Sequence, residues 1–214
     1  MFGINLRVKT ERITVDLRPA CKEDMKELVK YFSSMKIHLF TTGMFAQTLE
    51  NEEEWYDKVR QDKDGCEWLI QPDGYDKPIG VTGLGSINSK ENSCVSGIII
   101  WDPNWWKKGV ASAAHLGRTL FAADYLNRMV IRSCVRSENE ASRRALQRVG
   151  YTVWGTEPVD DYRAGRWLDT DHLIWFHPEK YQFFYPSGLP EKYAEGVKKA
   201  KIALELARGC VEMV

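Results

Sequence analysis

The 214-residue sequence carries no net charge, because its 30 basic residues balance its 30 acidic residues. Without a basic stripe, such a chain has no long-range attraction for nucleic acid or for an anionic membrane, and we expect neither as a partner. No apolar run approaches the roughly 20 residues of a membrane helix, and the N-terminus has no signal-peptide core. Internal repeats are also absent. These absences predict a soluble, cytoplasmic protein.

Paired cysteines are lacking as well. The five cysteines form no Cys-x-x-Cys motif and their number is odd, and most lie in or beside apolar runs. This pattern is typical of small buried side chains in a reducing compartment rather than of a disulfide framework. No His or Cys sits at the spacing of a zinc site, so we expect no metal.

What the sequence does contain is an alternation of strand-like and helix-like segments. Period-two and short apolar runs predict strands, and apolar spacing of three and four residues predicts helices. The predicted strands are 13–18, 66–70, 79–88, 94–101, 129–135, 152–158 and 166–176, and the predicted helices are 24–32, 52–62, 110–121, 139–149 and 191–210. Residues 1–12 are expected to be a polar lead-in. Residues 33–62 are either a plain connector or a substrate-facing flap.

A short basic and glycine-containing stretch, 105–112, joins a predicted strand to a predicted helix. Small residues stand at the helix start, and two lysines precede them. The first amides of a helix lack internal acceptors and carry the positive end of its dipole, so they bind phosphate groups well. The stretch is therefore either an anion site or an ordinary helix start, because a single glycine loop is weak evidence.

Three motifs in order resemble the GNAT superfamily of acyl-CoA-dependent N-acyltransferases, specifically its RimJ/RimL-like branch. The first resembles the family's pyrophosphate loop, the second an Asn-x-x-Ser start of a helix ending in Gly-aromatic, and the third a Gly-x-x-x-Asp near the last strand. They are Trp106-Lys107-Lys108-Gly109-Val110-Ala111, Asn139-Glu140-Ala141-Ser142 with Gly150-Tyr151, and Gly165 with Asp169. The resemblance covers about residues 13–176.

The resemblance implies an α/β (α+β) fold with a central, mixed and mostly antiparallel sheet of six to seven strands. The fourth and fifth of those strands would splay apart, and helices would flank the sheet. Residues 1–178 would form the acyltransferase domain, and 179–214 a linker with an amphipathic helix. The apolar stripe of that helix either packs on the domain or pairs with a second copy in a homodimer.

The resemblance also implies acetyl-CoA as cofactor, with CoA as product and no metal. Backbone amides of the loop would hold its pyrophosphate, and the pantetheine arm would complete the broken ladder between the splayed strands. The expected cofactor-binding residues are Trp101, Trp106, Lys107, Lys108, Gly109, Val110, Ala111, Ser112, Asn139 and Arg143. The Ile99 N–H would face the thioester carbonyl and stabilise the developing oxyanion.

The implied reaction is direct attack of a primary amine on the thioester, which needs a base for the ammonium proton and a donor for the leaving thiolate. Two positions depart from the family pattern. Leu146 stands where many relatives carry a tyrosine donor, which leaves Ser142, and the usual carboxylate of the fourth strand is missing. Candidate bases elsewhere are Glu67, Asp160 and His172.

The resemblance favours a protein N-terminus or a small-molecule amine as the acceptor. Glu52, Glu53 and Glu54 could attract a cationic substrate, but the charged first turn of a helix is the favoured interpretation. The alternative function is a catalytically degenerate domain that binds CoA or a protein partner without turnover. A nucleotide-hydrolysing P-loop protein is disfavoured, because no Gly-x-x-x-x-Gly-Lys-Ser/Thr follows a strand.

Overall fold

A computed structural model describes residues 1–32, 34–41, 43 and 45–214, and within these residues the strands form one nine-stranded sheet. The strands are β1 (Leu6–Lys9), β2 (Thr14–Arg18), β3 (Cys66–Pro72), β4 (Gly80–Asn88), β5 (Ser93–Ile100), β6 (Val130–Arg136), β7 (Thr152–Arg163), β8 (Arg166–Phe176) and β9 (Val211–Met213). Their order across the sheet is β7-β8-β6-β5-β4-β3-β2-β1-β9.

Strand pairing in the described sheet is antiparallel except between β5 and β6, which run parallel. The parallel pair is joined by a helix, as the sequence pattern predicts for a crossover connection. The predicted mixed, mostly antiparallel sheet is therefore confirmed. Its strands β2 to β8 correspond to the seven predicted strands, so the predicted fourth and fifth strands are β5 and β6.

Two edge strands widen the sheet beyond the six to seven predicted. Residues 1–12 are not a simple lead-in, because β1 pairs with β2 from Leu6↔Leu17 to Lys9↔Thr14. The C-terminal β9 then pairs with β1. Both segments are four residues or shorter, and each places few apolar residues inward, so period-two patterning gives too weak a signal to detect them.

The helices lie on both faces of the sheet. They are α1 (Met25–Val29), α2 (Met35–His38), α3 (Leu49–Gln61), α4 (Val110–Leu120), α5 (Glu140–Arg148) and α6 (Glu191–Cys210). Residues of α4 and α6 share the large apolar core with one face of the sheet, while α1 and α3 close a smaller core on the other face. None of the described helices combines the length and apolar composition that a bilayer-spanning helix requires.

The C-terminal helix α6 packs on the domain through its apolar stripe. Ala200, Leu204 and Ala207 are buried in the main core beside Leu116 and Val149. The approach is close: a Cβ added to Gly150 would lie 2.5 Å from Ala200, and Gly150 has a φ of 103°. Of the two predicted uses of this stripe, the structure shows packing within the chain.

Candidate active site

The strands β5 and β6 separate soon after they begin to pair. Their parallel register runs only from Ser93↔Val130 to Val95↔Arg132. At the vertex, Ser133 Oγ donates to the Ser96 carbonyl at 3.0 Å, and Ser96 Oγ donates to the Arg132 carbonyl at 3.3 Å. Beyond this vertex the two strands present unpaired backbone to each other. The predicted splay is thus present.

Backbone direction along β5 decides which groups face the splay. The Trp101 N–H donates to the Ile79 carbonyl at 3.0 Å, toward β4. The carbonyls of Ser96 and Ile100 point the other way, to Ser133 Oγ and to the Trp106 indole. These directions alternate along a strand. The backbone N–H and C=O groups of the even-numbered residues from 96 to 100 therefore point toward the splay.

This alternation corrects the sequence-based assignment of two backbone donors. The N–H groups of Ile99 and Trp101 are directed to β4, whereas those of Ile98 and Ile100 face the splay. The prediction located these donors by counting residues back from the loop. Asp102 and the turn Pro103–Trp105 lie between the loop and β5, and they shift that count by one residue. The Trp101 side chain itself is fully buried in the core between β4, β5 and α1.

The loop before α4 is held to the end of β5. Trp106 Nε1 donates to the Ile100 carbonyl at 2.9 Å. Lys107 and Gly109 have positive φ values of 63° and 93°, which turn successive amides toward one side. No side chain caps the N-terminus of α4. The amides of residues 110–112 therefore remain available to an anion, as the loop motif predicts.

Cations surround this loop. Lys107 and Lys108 are exposed, and Lys108 lies over the Trp105 ring, 5.0 Å from its centroid. Two further basic residues were not anticipated from the sequence, because they come from distant segments. Lys36 of α2 lies 5.0 Å from the centroid of the Trp106 ring, and the side chain of Arg12 approaches Gly109.

The N-terminus of α5 opens at the same edge of the sheet, because β5 and β6 are parallel and each is followed by a helix. Asn139 Oδ1 accepts from the Ser142 N–H at 3.1 Å and caps α5. The Asn139 amide nitrogen is not used in this cap. Ser142 is half-buried, and no described residue hydrogen-bonds its hydroxyl.

Arg143 takes part in an internal network. Its Nη1 donates to the Ser137 carbonyl at 2.9 Å and to Asp171 Oδ2 at 2.7 Å. Asp171 also accepts from Ser137 Oγ and Thr156 Oγ1, and hydrogen bonds from Arg143 and these hydroxyls keep its pKa below the usual value despite burial. Arg143 thus ties the start of α5 to β8. Asp171 was missed in the sequence because its partners lie on three separate elements.

Glu67 is the candidate base with the most suitable surroundings. It lies opposite Gly83 on β4, which lies opposite Gly97 on β5, so the three form one row across the sheet. Its carboxyl occupies the space that a side chain on Gly83 would fill. Burial raises the pKa of Glu67 to about 7, and the charge of Arg118 offsets part of that effect. With strands about 5 Å apart, this places the carboxyl roughly 5 Å from the edge of the splay.

The other two candidate bases have partners away from the splay. Asp160 accepts hydrogen bonds from Thr170 Oγ1 at 2.6 Å and from Arg136, and both lower its pKa. His172 lies on β8, with Nε2 3.1 Å from Glu157 Oε2. The strand β6 separates β8 from β5. Neither side chain is brought to Glu67 by the fold.

A buried polar cluster lies behind β5, on the face covered by α4. Arg118 is fully buried, and its Nη1 donates to the Gly97 carbonyl at 2.7 Å and to Thr82 Oγ1 at 2.9 Å. Its Nη2 lies 2.9 Å from His115 Nδ1. Nearby, the buried Tyr151 hydroxyl contacts Ser96 Oγ at 3.0 Å. No motif in the sequence links these residues, because they lie on α4, β4, β5 and the segment after α5.

The segment between α1 and α3 covers the Glu67 side of the sheet, though positions 33, 42 and 44 lie outside the described residues. Arg163 of β7 donates to the carbonyls of His38 and Gly43 at 2.7 and 2.6 Å. This contact binds the segment to the β7–β8 hairpin. In α3, Glu52 is buried with its pKa raised by desolvation, whereas Glu53 pairs with Lys22 at 3.2 Å.

Comparison with solved structures identifies the same fold in CoA-binding enzymes. RimJ of Mycobacterium smegmatis, in complex with CoA-disulfide, has a TM-score of 0.70 at 20% identity, over 98% of this chain and 95% of its own. A spermidine N-acetyltransferase of Vibrio cholerae, in complex with CoA and spermine, has a TM-score of 0.68 at 21% identity, over 78% of this chain and 96% of its own. No curated protein sequence matches the chain.

The split parallel strand pair and the uncapped N-terminus of α4 are the arrangement that the sequence resemblance implies for an acyl-CoA-dependent acyltransferase. The acetyltransferase (GNAT) domain model matches residues 14–152, which is more than half of the chain. The chain therefore belongs to the GNAT acetyltransferase family. At these identities, the structural likeness to RimJ shows a shared fold.

Proposed function

We propose that this protein is an acetyl-CoA-dependent N-acetyltransferase that transfers an acetyl group to a primary amine by direct attack on the thioester. The observation that carries the proposal is the splay between β5 and β6, which leads to the uncapped N-terminus of α4. A pair of strands with unsatisfied backbone groups needs a partner with amides, and pantetheine supplies two.

Separate groups of this chain bind separate parts of acetyl-CoA. The amides that follow Gly109 hold the pyrophosphate, with Lys107 and Lys108 adding charge. The open backbone groups of Ile98 and the Ile100 N–H pair with the pantetheine arm, since the Ile100 carbonyl already accepts from the Trp106 indole. Support for this placement comes from the positive φ of Gly109 and from the alternating backbone direction of β5.

In the reaction, acetyl-CoA supplies the activated acetyl group, and side chains of the enzyme move the protons. Glu67 accepts the proton of the ammonium, directly or through water, because its raised pKa matches a base that works near neutral pH. The Ile98 N–H stabilises the oxyanion as the amine attacks. Ser142, whose hydroxyl has no described partner, donates a hydrogen bond to the leaving thiolate and relays to it a proton supplied by water, so that the hydroxyl itself is regenerated.

The acceptor amine approaches from the face that carries Glu67. On that face lie the segment between α1 and α3 and the start of the β7–β8 hairpin, joined through Arg163. Acceptors of this reaction are a protein N-terminus or a small-molecule amine. The spermidine N-acetyltransferase among the structural neighbours is named for a small-molecule amine, which supports the second of these classes.

The experiment measures thiol release from acetyl-CoA, first without acceptor and then with separate pools of N-terminal peptides, polyamines, aminoglycosides and free amino acids. We expect one pool to stimulate release, and mass spectrometry should find one acetyl group on the consumed amine. Calorimetry with acetyl-CoA is run in parallel. Absence of binding would overturn the proposed cofactor site.

A second candidate function is binding of CoA without turnover. Leu146, which is buried, stands at the helix position where many relatives carry a tyrosine, and this observation favours the alternative. Acetyl-CoA binding together with silence in every acceptor pool would support it. Turnover with any pool would exclude it.

A further inference from the structure

Arg118 is buried without a carboxylate partner. Its side chain is fully inaccessible to solvent, and no described acidic group forms an ion pair with it. Its neighbours are a carbonyl, a hydroxyl and His115, which burial and the charge of Arg118 keep neutral. The charge of Arg118 lowers the pKa of Glu67 in part, but no described carboxylate contacts the guanidinium directly. Burying a charge without a direct ion pair is costly, so the position of Arg118 calls for an explanation beyond packing.

The carbonyl that Arg118 holds belongs to a particular peptide group. Gly97 C=O and Ile98 N–H are the two ends of one planar trans peptide, and they point in opposite directions. Arg118 Nη1 and Thr82 Oγ1 bind the carbonyl end at 2.7 and 2.9 Å, on the β4 side. The N–H end therefore faces the splay.

From this geometry we propose that Arg118 is a positioning residue for acetyl transfer, fixing and polarising the Gly97–Ile98 peptide so that the Ile98 N–H donates more strongly to the oxyanion. A cationic donor on a carbonyl strengthens the hydrogen bond made by the N–H of the same peptide, and the low dielectric of a dry interior increases this effect. The inference rests on the proposed function, because it assigns a role within that reaction.

The backbone of β5 gains rigidity from the same contact. Gly97 has no side chain that could anchor it, and it lies two residues beyond Val95, the last β5 residue that pairs with β6. Two hydrogen bonds on its carbonyl hold the peptide plane in one orientation before the substrate arrives. Preorganised donors stabilise an oxyanion without reorganisation during the reaction.

The test compares Arg118→Met, Arg118→Lys and Thr82→Val with the wild type at pH 9, where Glu67 is ionised. For Arg118→Met we expect kcat to fall about tenfold to a hundredfold while KM for acetyl-CoA changes less than about threefold. Arg118→Lys should recover part of the kcat that Arg118→Met loses. Arg128→Met is the matched control, because Arg128 also binds two backbone carbonyls but lies at the far end of β4.

A second readout separates polarisation from a purely structural role. Infrared difference spectra of bound acetyl-CoA labelled with carbon-13 at the thioester carbonyl report the strength of the Ile98 hydrogen bond. The carbonyl stretch should lie at lower frequency in the wild type than in Arg118→Met, with Thr82→Val between them. If Arg118→Met does not fold, the test rests on Arg118→Lys and Thr82→Val, whose kcat and carbonyl stretch are compared with those of the wild type.

The outcomes distinguish the two proposals. Wild-type turnover establishes the proposed function independently of any variant. Given that turnover, an unchanged kcat in a folded Arg118 variant, or a reduced kcat with an unchanged carbonyl stretch, would overturn the role of Arg118. A wild type that releases no thiol would overturn the proposed function instead.

Discussion

The environment of the Glu67 carboxyl differs in two ways from that of an exposed carboxyl. It is largely shielded from water, and it has no described hydrogen-bond or ion-pair partner, so desolvation raises its pKa to about 7. A buried base of this kind is half ionised near neutral pH and gains basicity without losing its accessibility to the substrate side. Gly83 on the adjacent strand β4 creates the space that the Glu67 carboxyl occupies.

Glu67→Gln should abolish most of the activity. If Glu67 is the base, wild-type kcat/KM should fall about tenfold per pH unit below pH 7, because the carboxylate form is required. The variant should lose about a hundredfold or more at pH 8 and lose this pH limb. Glu157→Gln, an exposed glutamate on β7, is the control and should keep the wild-type profile.

The same substitution should stabilise the fold at pH 8. The folded pKa of Glu67, about 7, lies above the ordinary value of 4.5, so the folded state binds the proton more tightly than the unfolded state. Stability is therefore lost as pH rises from about 4.5 through 7, and glutamine removes that loss. Chemical denaturation should show a gain of about 1–3 kcal/mol at pH 8 and almost none at pH 4. Equal effects at both pH values would contradict the assignment.

Among the elements, the loop–α4 junction depends on one backbone conformation. Gly109 adopts a φ of 93°, and a Cβ there would only reach ordinary contact with Arg12, at 3.5 Å. Substitutions at Gly109 therefore test the backbone conformation and the local charge without introducing a steric clash. Asparagine tolerates the left-handed region, whereas a glutamate would add bulk and negative charge beside the first amides of α4.

Gly109→Glu should abolish acetyl-CoA binding in calorimetry while the circular dichroism spectrum and cooperative unfolding remain. Gly109→Asn, the conformationally matched control, should retain binding within about tenfold. Normal affinity in the glutamate variant would show that the pyrophosphate does not bind at this helix start.

At the scale of the whole molecule, the C-terminal segment completes both the core and the sheet. Helix α6 covers α4 and α5, and β9 extends the edge formed by β1. Leu204→Ala should lower the free energy of unfolding by about 2–4 kcal/mol, because it opens a cavity in the main core. Leu206→Ala on the exposed side of α6 should change it by about 0.5 kcal/mol or less. Equal effects in urea denaturation would show that α6 does not pack as described.

The order of the central strands and helices, the loop motif and the family could all be predicted from the sequence. Apolar periodicity and helix-start residues are local features of the sequence. The helix starts at Gly109 and Asn139 can therefore be predicted without a structure. The short edge strands β1 and β9 were missed because three or four residues carry too little periodicity, and β9 pairs with β1, which lies about 200 residues away in the sequence.

The strand register and the surroundings of each site residue could not be predicted, because they depend on how distant segments pack. A shift of one residue exchanges which amides face the splay, and motif spacing from the loop did not resolve Ile98 from Ile99. Contacts between distant segments also create the row of Glu67, Gly83 and Gly97. The hydrogen bond from Arg118 to the Gly97 carbonyl arises in the same way. Burial, backbone direction and pKa depend on such neighbours, and a linear pattern carries no information on them.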